Sequence, residues 1–285
     1  MGGGAEHRGP RLLIALAAPT ACRAGGSASF RQCYIDAPVR IPPYHWWRTV
    51  FFLIPAISVY TIVLGTASIV SSLFDRRGYM AHNCARAWSW LILKTTGVRV
   101  DVRGLERLTP GATYVFVSNH QSHYDTPVIF STLPFQLRII AKASLARFPV
   151  LGWHLKRGGH LFVDRRHPDR AGILKRWTAL VSEGLSLIIY AEGTRSSDGH
   201  VARFKGGSFL LAIEAGLPIV PVAVIGSRRI MPKGRLRTEP ADVLLIIHDP
   251  IQPPALDRPT PRDARALAQQ AHSIVAATVR QRQPV

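Results

Sequence analysis

The feature that most constrains the fold is an alternation of short apolar runs with longer amphipathic segments, which continues from about residue 98 to the C-terminal region. Short apolar runs bounded by polar or glycine-containing turns are typical of buried strands, and the segments between them are typical of helices. Because strands that alternate with helices form α/β sheets, we predict an α/β fold with a mixed, largely parallel sheet flanked by helices. The predicted strands are residues 98–102, 113–117, 137–141, 160–163, 185–190, 219–225 and 243–248.

Helix signals lie between these strands and after the last of them. A helix is predicted to begin after Asp125, with Pro127 in its first turn, and two more cover residues 168–183 and 209–215. A C-terminal helix is predicted to begin at Pro261 with Thr260 as its N-terminal cap, since Thr followed by Pro is a strong helix-start pattern.

Ahead of the alternating region, residues 49–74 contain no charged residue. This apolar run is long enough for one transmembrane helix, and Tyr44 and Trp47 precede it as interfacial anchors do. We therefore predict a membrane-attachment segment over residues 44–77. A re-entrant or monotopic insertion kinked at Pro55 and a buried soluble helix are the alternatives, and the basic residues on both sides leave the orientation open.

The attachment segment divides the chain into three predicted parts. Residues 1–43 are rich in Gly, Ala, Pro and Arg, and we expect a disordered leader there, with a signal peptide as the alternative. Residues 78–285 are the predicted catalytic domain. Its first helical pattern, over 79–96, is consistent either with a helix along the lipid headgroups or with one that covers the sheet.

Charge and cysteine content narrow the classes of partner. Lys and Arg total 36 against 17 Asp and Glu, a formal net charge of +19, which favours polyanionic partners. Anionic lipid and the phosphates of a soluble substrate fit this charge. Nucleic acid is not expected, because the sequence shows no motif of a nucleic-acid-binding class. The three cysteines have no C-x-x-C spacing, so neither a disulfide framework nor a zinc site is predicted.

A polar turn, residues 118–125, directly follows the predicted strand 113–117 and carries a histidine and an aspartate five positions apart. His120 is a candidate general base, and Asp125 is a candidate partner that holds the imidazole in the productive tautomer. Because no serine nucleophile accompanies this pair, we infer that the attacking hydroxyl belongs to the substrate. The alternative is a divalent metal site of a hydrolase formed by His120, His123 and Asp125.

A second polar turn follows the predicted strand 185–190 and contains Glu192, Gly193, Thr194 and Arg195. Such a turn exposes backbone amides and a guanidinium at the carboxyl end of a strand, where open α/β sheets bind ligands. Because Arg offers a planar fork that holds phosphate through two hydrogen bonds, Arg195 is a candidate phosphate ligand.

Five blocks, in this order, resemble those of the glycerolipid acyltransferases with the H-x4-D motif, and in particular the 1-acyl-sn-glycerol-3-phosphate acyltransferases. They are His120 to Asp125, the strand 160–163 followed by Asp164 and Arg165, Glu192 to Ser196 (E-G-T-R-S), Phe204 to Gly207, and Ile219 to Ala223. Together with their surroundings they cover roughly residues 80–250.

The resemblance implies that His120 and Asp125 are catalytic. It also implies a glycerol-phosphate site formed by Glu192, Gly193, Thr194 and Arg195 with Arg165, and places Lys142 and Lys205 at the substrates. The sequence departs from the family at Ser144, where the family's K-x-E-L segment carries glutamate; this puts acceptor selectivity in question.

The implied reaction is transfer of a fatty acyl group from acyl-CoA or acyl carrier protein to the 2-hydroxyl of lysophosphatidic acid, which gives phosphatidic acid. It requires no cofactor and no metal. We expect a location at the inner or cytoplasmic membrane, on an anionic surface, with the catalytic domain facing the cytoplasm. Another lysolipid or a lyso-aminolipid is an alternative acceptor, and a basic lipid-binding protein without activity is the non-enzymatic alternative.

Overall fold

The computed structural model of the protein describes residues 43–75, 77–163 and 170–282. The predicted leader, residues 1–43, lies outside the described residues except for Pro43, and the predicted phosphate ligand Arg165 lies outside them as well. The division of the chain into leader, attachment segment and catalytic domain stays a prediction.

The described residues contain eight helices and seven strands in the predicted alternation. The helices are α1 (Tyr44–Ser71), α2 (Tyr79–Thr96), α3 (Asp125–Thr132), α4 (Leu151–Arg157), α5 (Arg170–Ser182), α6 (Gly207–Glu214), α7 (Ser227–Ile230) and α8 (Pro261–Arg282). The strands are β1 (Arg99–Arg103), β2 (Val115–Ser118), β3 (Leu137–Lys142), β4 (Leu161–Val163), β5 (Ser186–Tyr190), β6 (Ile219–Ile225) and β7 (Asp242–Ile247).

The strands form one sheet in the order β1-β7-β6-β2-β5-β3-β4. The five strands from β6 to β4 are parallel; β7 runs antiparallel to β6, and β1 is parallel to β7. This arrangement confirms the predicted mixed, largely parallel sheet. The central strands are apolar on both faces because helices cover both sides of the sheet, as is usual for parallel strands.

Two apolar clusters lie on the two faces of the sheet. On one face, side chains of α2 and α3 such as Leu93 and Ile129 pack against Phe116 of β2. On the other face, Trp177 of α5 joins side chains of α6 and α8, including Phe209. Both faces are therefore closed by helices, and the strand ends are the positions where the sheet meets loops.

Helix α1 is continuous from Tyr44 to Ser71 and is long and apolar enough to cross a bilayer, with a mean hydropathy of 2.1 over its most apolar window. It is not broken at Pro55. The irregular part is a π-helical turn at Thr49–Leu53, immediately before this proline. Proline has no N–H to donate to the carbonyl four residues earlier, so the regular hydrogen-bond pattern cannot be kept there. The π-helical turn is a local change in this pattern, and the helix continues through it without an interruption.

Helix α2 lies between α1 and the sheet. Its buried residues, among them Ser89 and Leu93, face the sheet cluster, which supports the sheet-covering alternative for residues 79–96. The neighbouring face contacts α1, where Trp88 Nε1 donates a hydrogen bond to Thr61 Oγ1 at 3.0 Å and the hydroxyls of Tyr60 and Thr95 are 3.0 Å apart. One side of α1 is thereby fixed to α2, which packs against the sheet.

Candidate active site

The two predicted motif turns meet at the carboxyl edge of the parallel strands. Ser118, the last residue of β2, is paired with Tyr190, the last residue of β5, so the turns that follow these strands start side by side. Strand β3, which ends at Lys142, is the next neighbour of β5. The parallel register alone therefore brings the predicted residues after β2 and β5 to one place.

His120 and Asp125 are in direct contact. The imidazole donates from Nδ1 to Asp125 Oδ2 over 2.8 Å, and the same oxygen accepts the backbone N–H groups of Gln121 at 2.7 Å and Ser122 at 2.9 Å. The Asp125 side chain is fully buried at the first turn of α3, whereas the His120 side chain is 19% exposed. The contact through Nδ1 leaves the second ring nitrogen, Nε2, directed away from the carboxylate.

Tyr190 holds the imidazole of His120 from a second side. Its ring stacks on the imidazole of His120 with centroids 4.1 Å apart and an angle of 18° between the planes, and its hydroxyl is 2.9 Å from Thr126 Oγ1. Burial and the nearby Asp125 carboxylate raise the pKa of Tyr190 well above its usual value, so the phenol stays neutral. Sequence analysis missed this residue; its position as the last strand residue before the E-G-T-R-S turn was the available signal.

Glu192 contacts the backbone of the histidine turn. Its Oε1 accepts the N–H of His120 at 2.7 Å, and its Oε2 accepts the N–H of Ala202 at 2.9 Å. The backbone N–H of Ser196 donates to the carbonyl of His120 at 2.7 Å, so the main chain of His120 is held at both its N–H and its C=O. Burial raises the pKa of the Glu192 carboxyl. With both oxygens occupied, Glu192 is placed to position His120, and a direct contact with an anionic substrate is unfavourable for it.

Gly193 has a left-handed backbone, with φ of 76°. A Cβ at this position would lie 2.7 Å from Lys205 Nζ, so glycine leaves room for the ammonium group directly beside the turn. Glycine adopts this conformation without the cost that a side chain adds. Gly193 and Lys205, predicted separately as substrate residues, are therefore neighbours.

Arg195 is half-buried in the same turn, and Thr194 before it is exposed. Among the described residues, neither Arg195 nor Lys205 has a carboxylate partner within ion-pair distance. Lys233, which sequence analysis did not single out, donates from Nζ to the Arg195 carbonyl at 2.9 Å and lies 3.4 Å from Thr194 Oγ1. Arg195 and the neighbouring Lys205 and Lys233 are thus three cations at the turn after β5 that have no carboxylate partner among the described residues.

His123 is exposed on the same turn as His120. Desolvation and the positive charge of Arg195 lower the pKa of His123, so this imidazole is neutral near pH 7. Within the part of the chain that the structure describes, no three His, Cys, Asp or Glu side chains are grouped so as to hold a metal ion. Asp125 Oδ2 accepts the imidazole of His120 and the N–H groups of Gln121 and Ser122, and His123 is not among its donors.

Asn119 and Gln121, which flank His120, hold the loop. The Asn119 amide makes both hydrogen bonds with the backbone of Val224 in β6, at 2.9 and 2.8 Å, and so extends the sheet by one side-chain bridge. Gln121 Nε2 donates to the carbonyl of Gly199 at 2.8 Å. These two polar side chains bind the protein backbone and fix the shape of the histidine turn.

Lys142, the last residue of β3, is exposed at the same sheet edge. Arg165, which follows β4, lies in the span 164–169, outside the described residues. The structure therefore brings together His120, Asp125, Glu192, Gly193, Thr194, Arg195 and Lys205, and places Lys142 at the end of the strand next to β5.

The sequence of this chain is similar to a protein family and to individual relatives. A model of the Acyltransferase family matches residues 99–225. The chloroplastic 1-acyl-sn-glycerol-3-phosphate acyltransferase of Brassica napus is 35% identical over 207 residues, which are 70% of this chain and 60% of the relative. The corresponding protein of Pseudomonas aeruginosa is 29% identical over 246 residues, which are 84% of this chain and 92% of the relative. The chain spans about 60% of the length of the first curated relatives, from Brassica napus and Arabidopsis thaliana.

The fold has a counterpart among solved structures. The crystal structure of the 1-acyl-sn-glycerophosphate acyltransferase PlsC from Thermotoga maritima superposes with a TM-score of 0.69 and 24% identity, and covers 84% of this chain and 98% of the other. The family match includes β1 to β6 and both motif turns. The predicted resemblance is thereby confirmed: the chain carries a domain of the Acyltransferase family over residues 99–225 and is a relative of the 1-acyl-sn-glycerol-3-phosphate acyltransferases.

Proposed function

We propose that the protein transfers a fatty acyl group from acyl-CoA or acyl carrier protein to the 2-hydroxyl of lysophosphatidic acid, which forms phosphatidic acid. The observation that carries this proposal is the His120–Asp125 pair at 2.8 Å together with Arg195 and Lys205, two cations that have no carboxylate partner among the described residues. The names of the relatives add support, since each is a 1-acyl-sn-glycerol-3-phosphate acyltransferase.

The His120–Asp125 pair supplies the proton transfers of the reaction. His120 Nε2 takes the proton of the acceptor hydroxyl as its oxygen attacks the thioester carbonyl. The tetrahedral intermediate then collapses, its carbon–sulfur bond breaks, and the imidazolium returns the proton to the leaving thiolate. Asp125 stabilises the imidazolium that forms between the two steps, and the backbone N–H groups of Gln121 and Ser122 hold its Oδ2 in position.

The cations of the turn after β5 supply binding energy for the acceptor phosphate. Arg195 is suited to two hydrogen bonds with phosphate oxygens, and the ammonium of Lys205 beside Gly193 adds a second positive charge. By the family resemblance, Arg165 and Lys142 complete the substrate contacts. A phosphorylated acceptor is therefore favoured over a neutral lysolipid of the same chain length.

Membrane attachment follows from α1. This helix exposes apolar side chains along most of its length, so contact with a bilayer removes them from water. We further propose that the membrane is the cytoplasmic one and that the catalytic domain faces the cytoplasm, because the acyl donors are cytosolic. The net charge of +19 favours an anionic lipid surface.

A different lysolipid acceptor is the second candidate function, and Ser144 is the observation that favours it. This residue replaces the family's glutamate two positions after Lys142, in an exposed 3-10 turn at Ala143–Arg147. A serine removes a negative charge from the sheet edge where the acceptor binds. The reaction stays acyl transfer in either case.

An assay of the purified full chain in detergent tests the proposed function. Labelled acyl-CoA or acyl carrier protein is offered with lysophosphatidic acid, with lysolipids that lack a terminal phosphate, and with a lyso-aminolipid. We expect labelled phosphatidic acid as the main product. Acylation of another lysolipid in preference would replace the proposed acceptor, and the absence of transfer to every acceptor would refute the enzymatic function.

A further inference from the structure

Residues 143–157, which follow β3 directly, form a second surface that carries exposed aromatic side chains. The segment consists of the 3-10 turn Ala143–Arg147, a short loop, and helix α4. Phe148 is 56% exposed and Trp153 is 55% exposed, although both are large and apolar. Two such side chains within six positions on the surface of a folded domain indicate that this surface contacts a membrane or another apolar partner.

The segment is attached to α1, the proposed membrane helix. His154 Nδ1 and Ser68 Oγ are hydrogen-bonded at 2.6 Å, and α4 packs against α1. Gly65 of α1 faces Val150 so closely that a Cβ on the glycine would lie 2.5 Å from Val150 Cγ1. Val150 itself has φ of 59° and ψ of −63°, a conformation that is costly for a β-branched residue. The contact with α1 therefore holds the segment in a defined position.

The residues of α1 that contact this segment border its exposed apolar side. Gly65 and Ser68 are three residues apart and share one face of the helix, and the exposed Ile62, three positions before Gly65, lies at the edge of that face. Phe148 and Trp153 are two positions and one position from Val150 and His154, the residues that contact α1. A bilayer that receives α1 is therefore close to both aromatic side chains.

The charge of the segment is uniformly positive. Arg147, Lys156 and Arg157 are exposed, and residues 143–157 contain no Asp or Glu. Among the described residues, none of these three cations has a carboxylate within ion-pair distance. Aromatic side chains interleaved with basic ones are typical of surfaces that lie at the headgroup level of anionic membranes.

We propose that residues 143–157 are a second membrane contact that binds anionic lipid, with Phe148 and Trp153 at the interface and the three cations at the headgroups. The proposal rests on the proposed membrane attachment of α1 and extends it into the catalytic domain. Because Lys142 and the sheet edge immediately precede this segment, the contact brings the candidate active site next to the bilayer surface from which a lipid acceptor enters.

A fluorescent probe at single cysteines tests this contact without an activity assay. In the full chain with Cys22, Cys33 and Cys84 changed to Ser, the environment-sensitive dye NBD is attached to Phe148→Cys or Trp153→Cys. Phe51→Cys, on the exposed side of α1, is the positive control, and Leu256→Cys, an exposed apolar position beyond the sheet, is the matched negative control. Each protein is added to vesicles of phosphatidylcholine with phosphatidylglycerol, with and without lipids that carry a nitroxide quencher.

The proposal expects a blue shift and nitroxide quenching at positions 148, 153 and 51, and neither at 256. Insertion at 51 with aqueous emission at 148 and 153 would overturn the second contact and leave attachment by α1 intact. Aqueous emission at all four positions would overturn both, while the acyl-transfer assay would still decide the reaction. A blue shift at 148 that needs no vesicles and grows with protein concentration would assign the surface to a protein partner and overturn the lipid contact.

The charge contribution is tested separately by a triple change, Arg147→Gln, Lys156→Gln and Arg157→Gln. Each basic residue near an anionic surface contributes about five-fold in affinity, so the three together should weaken binding to anionic vesicles on the order of 100-fold. Binding to pure phosphatidylcholine should be unchanged. The control removes three exposed arginines outside this segment, Arg258 before α8 and Arg280 and Arg282 in its last turn, and an equal loss in this control would show a general effect of net charge and contradict the proposed contact.

Discussion

The substitution Glu192→Gln separates a positioning role from a substrate-binding role at the E-G-T-R-S turn. Glu192 accepts one backbone N–H on each carboxylate oxygen, from His120 at 2.7 Å and from Ala202 at 2.9 Å. A glutamine has the same shape but only one acceptor oxygen. In either orientation its NH₂ group faces a backbone N–H, so one of the two hydrogen bonds is lost and replaced by a contact between donors.

The magnitude follows from the lost contact. A hydrogen bond to a buried charged group contributes about 1.5–3 kcal/mol, and the same loss should lower the melting temperature by roughly 3–6 °C in a protein of this size. If the NH₂ group faces His120, the histidine backbone shifts. A displacement of about 1 Å at a catalytic group reduces turnover on the order of 100-fold. We therefore expect kcat to fall by that order while KM for lysophosphatidic acid changes little.

Steady-state kinetics and thermal unfolding of Glu192→Gln measure both effects. The matched control is Asp198→Asn, an acid-to-amide change in the same loop at an exposed carboxyl that accepts hydrogen bonds from Ser196 and His200 through one oxygen. An asparagine keeps that oxygen and leaves its NH₂ group in solvent, so this control should resemble the unmodified protein. An unchanged kcat with a raised KM in Glu192→Gln would place the carboxylate at the acceptor and refute the positioning role.

Three further changes test other contacts. Arg195→Ala should raise KM for lysophosphatidic acid by roughly 10- to 150-fold, the equivalent of about 1.5–3 kcal/mol of lost binding. The matched control, Arg203→Ala at an exposed position in the same loop, should leave KM nearly unchanged. Equal KM values for the two variants would remove Arg195 from the phosphate site. Tyr190→Phe keeps the ring beside the His120 imidazole and should retain most turnover, while Tyr190→Leu should lower kcat; equal loss in both would point to the hydroxyl instead of the stacked ring. Burial lowers the pKa of His82 to about 3 and of His154 to about 4, so the unfolded chain binds more protons than the folded one below pH 6.5 and stability falls as pH falls. The free energy of unfolding at pH 6.5 and at pH 5.5 should differ by about 1 kcal/mol per histidine, and a His154→Gln variant with an unchanged slope would contradict this account.

The fold class and the start of the last helix were predictable because they depend on local signals. The apolar runs fix where the strands lie, since each is bounded by turn residues. At the start of α8, the predicted cap residue Thr260 accepts the N–H of Asp263 at its Oγ1 over 3.4 Å, and the N–H of Thr260 donates to Asp263 Oδ2 at 2.9 Å. Because this cap is made within four consecutive residues, it does not depend on the rest of the fold and can be predicted from the sequence.

Side-chain roles that depend on strand order were not predictable. The partners of Glu192 and Tyr190 are set by the position of β5 beside β2, which two distant segments determine together. For the same reason the contact of Lys233 with the Arg195 carbonyl gave no sequence signal, because it joins residues 38 positions apart. The five-residue spacing of His120 and Asp125 was the exception, since a tight turn places such a pair in contact.

The helical pattern over 79–96 shows how one sequence stripe can have two partners. Ile92 is buried in the apolar cluster on the sheet, and Trp88, one helical turn earlier, packs against the same cluster but is only partly buried. Trp88 also donates a hydrogen bond to Thr61 of α1. An amphipathic pattern indicates that a face is covered, and it does not distinguish a sheet from another helix as the cover.

Turnover of the full chain with lysophosphatidic acid and labelled acyl-CoA, measured for His120→Ala against His123→Ala, tests the central claim most directly. The two histidines lie three positions apart in one turn, and only His120 is hydrogen-bonded to Asp125. The account predicts a loss of about 10²- to 10⁴-fold or more in kcat for His120→Ala with an unchanged melting temperature, and near-normal turnover for His123→Ala. Undiminished turnover in His120→Ala would contradict the assignment of this imidazole as the general base.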